Sequence, residues 1–391
     1  MRRVLIVSNT AWNMQRYRMG YLRHLATAGE ELHVACGRDA ALEAELAKIG
    51  AVFHPLAGRS VTSGPITALR FLLKIWWLLF KLRPDVAHFF TLGPGVIGGV
   101  ISRIIPFRCR TVISLTGLGE WRRRWADPFG RVLTAVARLA WARAQVVVQN
   151  HDDRDLLAAA HVVAPENLHV VLGSGVPVPP SPFPLPDTPG PARFVMVSRM
   201  LWSKGVKEFA EAARLVREKI PDAEFYMVGG AAEDYASRNP DFVGRDWLQA
   251  LNADPAGPRW LGFLPPAEVQ EMMRSARAVV LPSTYAEGIP RTLLEALAEG
   301  RAVITCDSPG CREVVPSGHL SGFLVPPHDA RSLAAACQQL VDAPHLAQQM
   351  GQAGHNLATR RFAENIVNRK LAAIYDPGLT AKDESAMIDA T

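Results

Sequence analysis

The sequence predicts an α/β protein with two doubly wound, Rossmann-like domains. Its 391 residues are two to three times the usual domain size of about 100 to 150. Short, nearly continuous apolar runs alternate with segments of helical spacing, which is typical of a parallel sheet covered on both faces. A proline-rich segment at 177–191 interrupts this alternation, which then resumes, so this segment is the predicted domain linker.

The N-terminal domain is predicted to span residues 1–180. After its first strand, helical spacing continues through Tyr21, Leu22 and Leu25. Further apolar runs follow, each separated from the next by a helical stretch. The candidate strands of this domain are RRVLIVS (2–8), LHVACG (32–37), DVAHFF (85–90), RTVISLTG (110–117) and QVVVQN (145–150).

The C-terminal domain is predicted to span residues 190–355 and repeats the same rhythm. Function is expected where the strand ends of the two domains face a cleft, because open parallel sheets bind ligands at their carboxyl edge. The candidate strands are ARFVMVSRM (192–200), AEFYMVGG (223–230), PRWLGFL (258–264), RAVVLPS (277–283) and AVITCDS (302–308).

Composition and charge narrow the class of protein. With 49% hydrophobic and 20% charged residues, the chain is globular rather than disordered or fibrous. The formal net charge is +6, divided into +9 for residues 1–190 and −3 for the remainder. A basic half suits phosphorylated small molecules or anionic lipid. Nucleic-acid binding is not expected, because the basic residues are not interleaved with stacking aromatic residues on a strand platform.

The cysteines and the N-terminus bear on the compartment. Five cysteines, an odd number, are widely spaced and form no C-x-x-C pair, which favours a reducing compartment and predicts no metal site. The apolar run Val4 to Val7 is too short for the hydrophobic region of a signal peptide, so a cytoplasmic location is expected.

One helical segment differs from an ordinary surface helix. Residues 68–82 read ALRFLLKIWWLLFKL, with cations at Arg70, Lys74 and Lys81, and Arg83 follows directly. The run is shorter than the roughly 20 apolar residues that span a bilayer, but Trp76 and Trp77 suit the headgroup level. Residues 68–83 therefore predict either a peripheral membrane contact or a core helix. The basic run Trp121 to Trp125 predicts either a clamp on lipid phosphate or a solvated loop.

The most informative stretch is YAEGIPRTLLEALAEG, at 285–300. Pro290 suits the first turn of a helix, whose N-terminal amides and dipole can bind a diphosphate. Glu287 precedes this helix and Glu295 lies about five residues into it, roughly 7 to 8 Å along the axis. The two carboxylates can therefore bracket an anion and accept hydrogen bonds from sugar hydroxyls on either side, although such glutamates are often only solvated surface residues.

Two cations follow the first strand of the C-terminal domain. Arg199 and Lys204 lie in the loop between that strand and the helix from 207 to 216. Such a loop forms part of the ligand-binding edge of an open α/β sheet. Arginine offers a fork for phosphate oxygens and lysine a movable point charge, so both can hold a diphosphate, although loop cations are also common on plain surfaces.

Together these motifs resemble the retaining glycosyltransferases of family four, which have the GT-B fold. The resemblance covers the C-terminal domain almost completely. It includes the family's Glu-x7-Glu motif, met by Glu287 and Glu295. The other matching motifs are S-R at 198–199 with K-G at 204–205, V-G-G at 228–230, L-G-F at 261–263, G-C-R-E-V-V at 310–315 and G-F-L-V-P-P at 322–327.

The resemblance implies a role for each matching residue on the donor side. Arg199 and Lys204 would hold the donor diphosphate and stabilise the leaving nucleoside diphosphate, so no metal or other cofactor is expected. Glu287 would contact the donor sugar and Glu295 the ribose. Gly288, Ile289, Pro290 and Arg291 would bind the phosphates, and Gly262 and Phe263 would receive the base. A final helix at 356–376 would cross back to the N-terminal domain.

The N-terminal domain resembles a bacterial subgroup that transfers N-acetylated sugars to polyprenyl-diphosphate-linked acceptors. The resemblance implies that Arg18 contacts the acceptor diphosphate, with Asn9 in the same loop. Many family members carry a histidine in the loop after the fourth strand, where this chain has Thr116 and Gly117. These two residues and His88 are the remaining candidates for acceptor binding.

The resulting hypothesis is a retaining transferase at the cytoplasmic membrane face. It would move a hexose or N-acetylhexosamine from a UDP-sugar to a polyprenyl-diphosphate-linked saccharide. A nucleotide-sugar 2-epimerase shares the fold and a diphosphate site, and it is the alternative. A non-catalytic sensor of sugar nucleotides is disfavoured by the intact charged residues.

Overall fold

The computed structural model describes residues 1–56, 65–184, 190–235 and 239–376. The chain forms two compact units. The first comprises Met1–Gly175 together with the chain from Glu364 onward, and the second comprises Val176–Ala363. The unit boundaries, after Gly175 and Ala363, therefore lie five and eight residues from the predicted positions at 180 and 355. The prediction of an α/β protein with two Rossmann-like sheets is confirmed.

The first unit contains a seven-stranded parallel sheet of order β3-β2-β1-β4-β5-β6-β7. Its strands are β1 (Arg3–Val7), β2 (Glu31–Gly37), β3 (Val52–Leu56), β4 (Val86–Phe90), β5 (Arg110–Ser114), β6 (Gln145–Val148) and β7 (Leu168–Val170). Its helices up to Gly175 are α1 (Ala11–Tyr17), α2 (Met19–Thr27), α3 (Ala40–Lys48), α4 (Pro65–Leu82), α5 (Leu92–Ile104), α6 (Gly119–Arg123), α7 (Pro128–Trp141) and α8 (His151–Ala159).

Two apolar layers cover this sheet. On one face α1, α2 and α3 bury residues such as Met14, Leu22 and Leu42 against the strands. On the other face α4, α5 and α7 contribute Phe71, Trp141 and their neighbours. The sequence analysis did not identify β3 and β7, because β3 is an edge strand with a proline and β7 has only three residues.

The second unit contains a six-stranded parallel sheet of order β10-β9-β8-β11-β12-β13. Its strands are β8 (Arg193–Val197), β9 (Glu224–Val228), β10 (Arg259–Trp260), β11 (Ala278–Leu281), β12 (Ala302–Cys306) and β13 (Gly322–Val325). Its helices are α9 (Val206–Arg217), α10 (Arg245–Ala253), α11 (Pro266–Arg274), α12 (Arg291–Ala298), α13 (Ala330–Asp342) and α14 (Pro344–Leu357). The sequence analysis identified the region of β13 as the motif G-F-L-V-P-P but did not predict it as a strand.

The start of the proline-rich segment is held against the second unit. Residues 177–184 contain neither helix nor strand, and 185–189 of the predicted linker lie outside the described residues. The fully buried guanidinium of Arg301 donates to the carbonyl oxygens of Phe183 and, at 3.1 Å, Pro184. The guanidinium of Arg274 also lies 3.7 Å from the centre of the Phe183 ring. Arg301 therefore holds residues 183–184 against the second unit, to which both belong.

The predicted final helix is interrupted. A π-helical turn, Ala358–Phe362, follows α14, and Ala363 is extended before α15 (Glu364–Ala373) begins. Residues 356–363 belong to the second unit, whereas α15 packs on α2 in the first. A continuous helix over 356–376 is therefore wrong at this point, because the backbone leaves the helical conformation where the chain passes from one unit to the other.

Candidate functional site

The candidate donor site lies at the carboxyl edge of the second sheet. The strand order reverses between β8 and β11, which is the position where open α/β sheets bind ligands. The loop after β8 carries Arg199 and Lys204, and the loop after β11 carries Glu287. Neighbouring strands therefore bring the predicted cations and one predicted carboxylate to one edge.

The backbone of the two loops fixes the position of Lys204. The carbonyl oxygen of Ser203 accepts hydrogen bonds from the amides of Thr284 at 2.8 Å and Tyr285 at 3.0 Å. Gly205 has φ +80°, and a Cβ there would lie 2.3 Å from the Pro282 carbonyl oxygen. Only glycine fits this close approach of the loops. Lys204 is thus held beside the loop that contains Glu287.

Lys204 and Glu287 form an ion pair across the edge. The Nζ of Lys204 donates to Oε1 of Glu287, and the two side chains are only 7% and 17% exposed. Ser283 Oγ donates to the same carboxylate oxygen at 3.2 Å, and the Lys204 ammonium lies 5.3 Å from the centre of the Tyr285 ring. The site therefore holds a partly desolvated charge pair at the sheet edge. An anionic ligand that binds there can pair with Lys204 in place of Glu287.

Helix α12 begins directly after this pair. Pro290 is the residue before its first turn rather than within it, and Thr292 Oγ1 donates to the carbonyl of Val197 at 3.0 Å, which joins α12 to the end of β8. Gly310, with φ +76°, approaches so closely that a Cβ would lie 2.0 Å from the Gly288 carbonyl oxygen. The first-turn amides of a helix lack acceptors within the helix and favour anions. The helix N-terminus is therefore firmly placed at the sheet edge.

The second predicted carboxylate is paired within α12. Arg291 Nε donates to Glu295 Oε1 at 2.8 Å, and the side chains are 16% and 24% exposed. Arg291 thus orients Glu295 along one side of the helix. The preceding residues Gly288, Ile289 and Pro290 are buried, so they can offer backbone groups more readily than side chains.

The residues predicted for phosphate and base contacts lie along the same edge. Arg199 is exposed at the end of β8. The amide of Met200 donates to Gly230 at 3.1 Å, and that of Gly229 donates to Gly262 at 2.8 Å, so the ends of β8, β9 and β10 are joined in series. Phe263 is 58% exposed and packs on Tyr235 with ring centres 5.6 Å apart. An exposed ring beside a positioned backbone is suited to contact a base.

The sequence reasoning missed several residues that support the site. Ser283 and Tyr285 contact the charge pair, and Asp241 Oδ1 accepts from the Ser203 amide at 3.0 Å. Ser283 lies four residues before Glu287, at the end of a predicted strand, and this position could have suggested its role. Asp241 is 38 residues from Ser203, so no local pattern could have indicated it.

Four of the candidate acceptor residues lie in loops of the first unit, and they are buried or half-buried. Asn9 follows β1, and its Oδ1 is buried without a hydrogen-bond partner among the described residues. Arg18 is 3% exposed, and its guanidinium lies 4.2 Å from the centre of the Phe90 ring. Thr116 and Gly117 are half-buried in the loop after β5. These four residues follow strand ends or an adjacent helix of the first sheet.

His88 does not match the prediction that it contacts an acceptor. The ring is fully buried, with Nδ1 2.8 Å from the Tyr375 hydroxyl and Nε2 2.7 Å from Ser114 Oγ. Burial lowers the pKa of His88 well below its usual value, so the ring is neutral. His88 is therefore a core residue that joins β4, β5 and the end of the described chain.

The basic run 121–125 is a short helix and turn with internal partners. Trp121 is buried in the core. Arg122 pairs with the buried Asp153 at 2.9 Å, Arg123 with Glu120 at 3.0 Å, and Arg124 with Asp127 at 2.8 Å. A phosphate clamp at this run would first have to open these ion pairs.

Across residues 1–56, 65–184, 190–235 and 239–376, no group of three or more histidine, cysteine, aspartate or glutamate side chains is arranged to hold a metal ion. In the same ranges the five cysteines are unpaired thiols. Burial raises the pKa of Cys311 to about 11, which keeps this thiol neutral near Ser283.

Comparison with known proteins agrees with these features. Residues 181–357 match the family described as glycosyl transferases group 1, and residues 14–173 match glycosyltransferase family 4. The chain is 30% identical over 182 residues to the N,N'-diacetylbacillosaminyl-diphospho-undecaprenol alpha-1,3-N-acetylgalactosaminyltransferase of Campylobacter jejuni, a match that spans 46% of this chain and 44% of the relative. It is 31% identical over 202 residues to the putative colanic acid biosynthesis glycosyltransferase WcaL of Escherichia coli, which spans 50% and 47%. The matches thus span less than half of each relative.

Solved structures share the fold over nearly the whole chain. Sucrose-phosphate synthase from Thermosynechococcus elongatus superposes with a TM-score of 0.75 and 18% identity, covering 96% of this chain and 98% of that one. Anabaena HepE in complex with UDP and glucose gives a TM-score of 0.73 and 17% identity, covering 95% and 99%. The two family matches cover every strand of both sheets except β1, and the expected motifs lie at the expected strand ends. The chain belongs to glycosyltransferase family 4, with the GT-B fold.

Proposed function

We propose that this protein is a retaining glycosyltransferase that uses a UDP-sugar and elongates a polyprenyl-diphosphate-linked saccharide at the cytoplasmic membrane face. The sugar transferred is a hexose or an N-acetylhexosamine. The observation that carries the proposal is the partly buried Lys204–Glu287 pair beside the N-terminus of α12. A cation, a carboxylate and helix amides at one sheet edge match the three needs of a sugar diphosphate: phosphate charge, sugar hydroxyls and oriented oxygens.

The charged groups account for departure of the nucleoside diphosphate. As the glycosidic bond to the donor lengthens, negative charge grows on the diphosphate oxygen that leaves. Lys204 and the exposed Arg199 stabilise that charge together with the α12 amides. Because these groups supply positive charge, the proposal requires no metal ion.

The carboxylates orient the donor. Glu287 accepts hydrogen bonds from hydroxyls of the donor sugar, and Glu295, held by Arg291, accepts them from the ribose. Gly262 and Phe263 receive the base from the neighbouring strand end. The acceptor hydroxyl attacks from the face that the diphosphate leaves, and the departing phosphate oxygen takes its proton. This same-face route retains the anomeric configuration without a protein nucleophile.

Two comparisons support the finer assignment. The C. jejuni relative is named for transfer to a diphospho-undecaprenol-linked sugar, which supports a polyprenyl-linked acceptor. The Anabaena neighbour was solved with UDP and glucose, which supports a UDP-sugar donor. Asn9, Arg18, Thr116 and Gly117 are proposed to line the acceptor side.

The test is transfer from radiolabelled UDP-sugars to lipid extracted from bacterial membranes. We expect label in a lipid fraction for one donor, with the anomeric configuration of the donor kept in the product and with the same yield in EDTA. A parallel incubation with the donor alone distinguishes the 2-epimerase, which converts the sugar nucleotide without an acceptor. Epimer formed from the donor alone, or an inverted product, would overturn the proposal.

A further inference from the structure

Helix α4 is apolar on two sides, and only one of them is buried. Phe71, Ile75, Leu78 and Leu79 pack into the core of the first unit. The outward side carries large apolar residues that are each more than a third exposed: Ile66, Leu69, Leu73, Trp76, Trp77 and Phe80. A helix that is hydrophobic all round is normally enclosed by other elements. The outward side of α4 therefore calls for an apolar neighbour.

Helix α7 repeats this arrangement, which the sequence analysis did not identify. Phe129, Val132, Val136 and Leu139 are between 38% and 65% exposed. Their spacings of three, four and three residues place them on one side of the helix. The spacing is itself a usable signal in the sequence, because Arg131 and Arg138 fall on another side of the helix.

Helix α5 connects the two apolar sides. It contacts both α4 and α7, and Arg103 near its end donates to the Leu139 carbonyl at 2.7 Å. Its own Val100 and Ile104 are exposed. All three helices cover the same face of the first sheet, since they contribute to one core cluster. We call the outward surface of α4, α5 and α7 the three-helix face, and more than half of the large exposed apolar residues among those described lie on it.

The charge of the three-helix face has one sign. Helices α4, α5 and α7 contain no aspartate or glutamate. The ammonium groups of Lys74 and Lys81 lie 4.4 Å and 4.7 Å from the centre of the Trp77 ring, so this aromatic side chain is framed by cations. The cations of the three helices are Arg70, Lys74, Lys81, Arg103, Arg131 and Arg138.

We propose that the three-helix face docks onto an anionic lipid bilayer, with its helices lying along the membrane surface. The apolar side chains would enter the acyl boundary, while lysine and arginine would meet the lipid phosphates. A second copy of the chain fits less well, because a two-fold interface would bring two cationic faces together. Among the described residues, no helix is long and apolar enough to cross a membrane.

This inference rests on the proposed function in one respect: a lipid-linked acceptor lies in a membrane, which gives the protein a reason to bind there. In a parallel α/β unit the helices run opposite to the strands, so α4, α5 and α7 begin at the carboxyl edge of the sheet. That edge also carries the loop with Asn9. Docking through the three-helix face would therefore bring the proposed acceptor residues close to the lipid headgroups.

The experiment is flotation of the full chain with vesicles of phosphatidylcholine, alone or mixed with phosphatidylglycerol. We expect binding to the mixed vesicles, weakening with added salt, and little binding to phosphatidylcholine. The variants are Leu73→Glu on α4 and Leu139→Glu on α7. Each should weaken binding at least about tenfold, because the leucine would enter the acyl boundary and a charged glutamate at the same position would not. Leu320→Glu is the matched control, since Leu320 is 45% exposed in the second unit.

Brominated acyl chains give a readout without any substitution. We expect them to quench part of the wild-type tryptophan fluorescence, because Trp76 and Trp77, two of the nine tryptophans, are 41% and 42% exposed on the three-helix face. If the Leu139→Glu variant binds the mixed vesicles as tightly as the wild-type chain does, α7 takes no part in docking. If the wild-type chain binds both kinds of vesicle equally, the choice of anionic lipid is wrong. Self-association that Leu139→Glu abolishes, without vesicle binding, would show a protein interface instead. Vesicle binding without sugar transfer would remove the proposed function and leave this inference standing.

Discussion

The two sheets use polar side chains in opposite ways. In the second unit, Lys204 and Glu287 form a charged pair between loops, and both loops are held in place by backbone hydrogen bonds. In the first unit, His88 on β4 is fully buried and lies within hydrogen-bond distance of Ser114 and Tyr375. The second sheet presents charge at its carboxyl edge, whereas the first encloses the neutral ring of His88 in hydrogen bonds within its core.

This difference indicates where ligand binding and stability reside. A partly buried ion pair contributes little net stability, because desolvation offsets the attraction, but it is ready to rearrange when an anion arrives. A neutral, fully satisfied buried network stabilises the fold and has no remaining capacity for a ligand. Substitutions in the second unit should therefore change catalysis and affinity, and the His88 network should respond in stability.

The largest effect is expected for Lys204→Ala. Loss of one preorganised charge at the leaving group should lower kcat by about 10²- to 10³-fold. Steady-state transfer assays measure this, and Lys207→Ala is the matched control because Lys207 is 66% exposed on the next helix. A kcat within twofold of wild type for Lys204→Ala would break the comparison at its strongest point.

The next effect is expected for Glu295→Ala. Hydrogen bonds to charged groups contribute roughly 1.5–3 kcal/mol, so donor affinity should fall by about 10- to 150-fold. Titration calorimetry with the UDP-sugar measures the change, and Glu211→Ala, on the exposed side of α9, is the control. Unchanged donor binding would show that Glu295 serves only to pair with Arg291.

A comparison of two glycines with nearly equal φ can distinguish the effect of backbone strain from that of a close contact. Gly310 and Gly318 have φ +76° and +79°, but only at Gly310 would a Cβ meet another group, the Gly288 carbonyl. Gly318→Ala should cost about 1 kcal/mol of unfolding free energy, from conformation alone. Gly310→Ala should cost more and should also weaken donor binding, because it displaces the start of α12. Chemical denaturation and calorimetry compare the two, and equal effects would show that the contact at Gly288 is unimportant.

The sequence predicted the second unit better than the first. Its strands are apolar and end in small polar residues, and its donor residues fall within short motifs that follow these strands, so local pattern and family resemblance coincided. The first unit depends on contacts between distant positions. Tyr375 lies 287 residues from His88, and no spacing could indicate that the histidine is enclosed. The apolar side of α7 is different, because its helical spacing is clear in the sequence, with Arg131 and Arg138 on another side of the helix, so it could have been predicted.

The last effect concerns His88→Gln and falls on the unfolding free energy alone, not on catalysis or donor binding. Loss of well-placed buried hydrogen bonds should cost about 1–3 kcal/mol at neutral pH. Because burial lowers the pKa of His88 in the folded chain, only the unfolded chain takes up this proton near pH 6.5. The stability that His88 contributes is therefore complete above about pH 6.5 and is lost as the pH falls below it.

The measurement is urea denaturation of wild type and His88→Gln from neutral pH to pH 5, combined with donor calorimetry at neutral pH. The stability gap between the two proteins should narrow as the pH falls, while donor affinity should be the same in both. A gap that widens at low pH would mean that the folded chain holds a protonated ring. Reduced donor affinity would join His88 to the site in the second unit, and the contrast between the two sheets would then no longer hold.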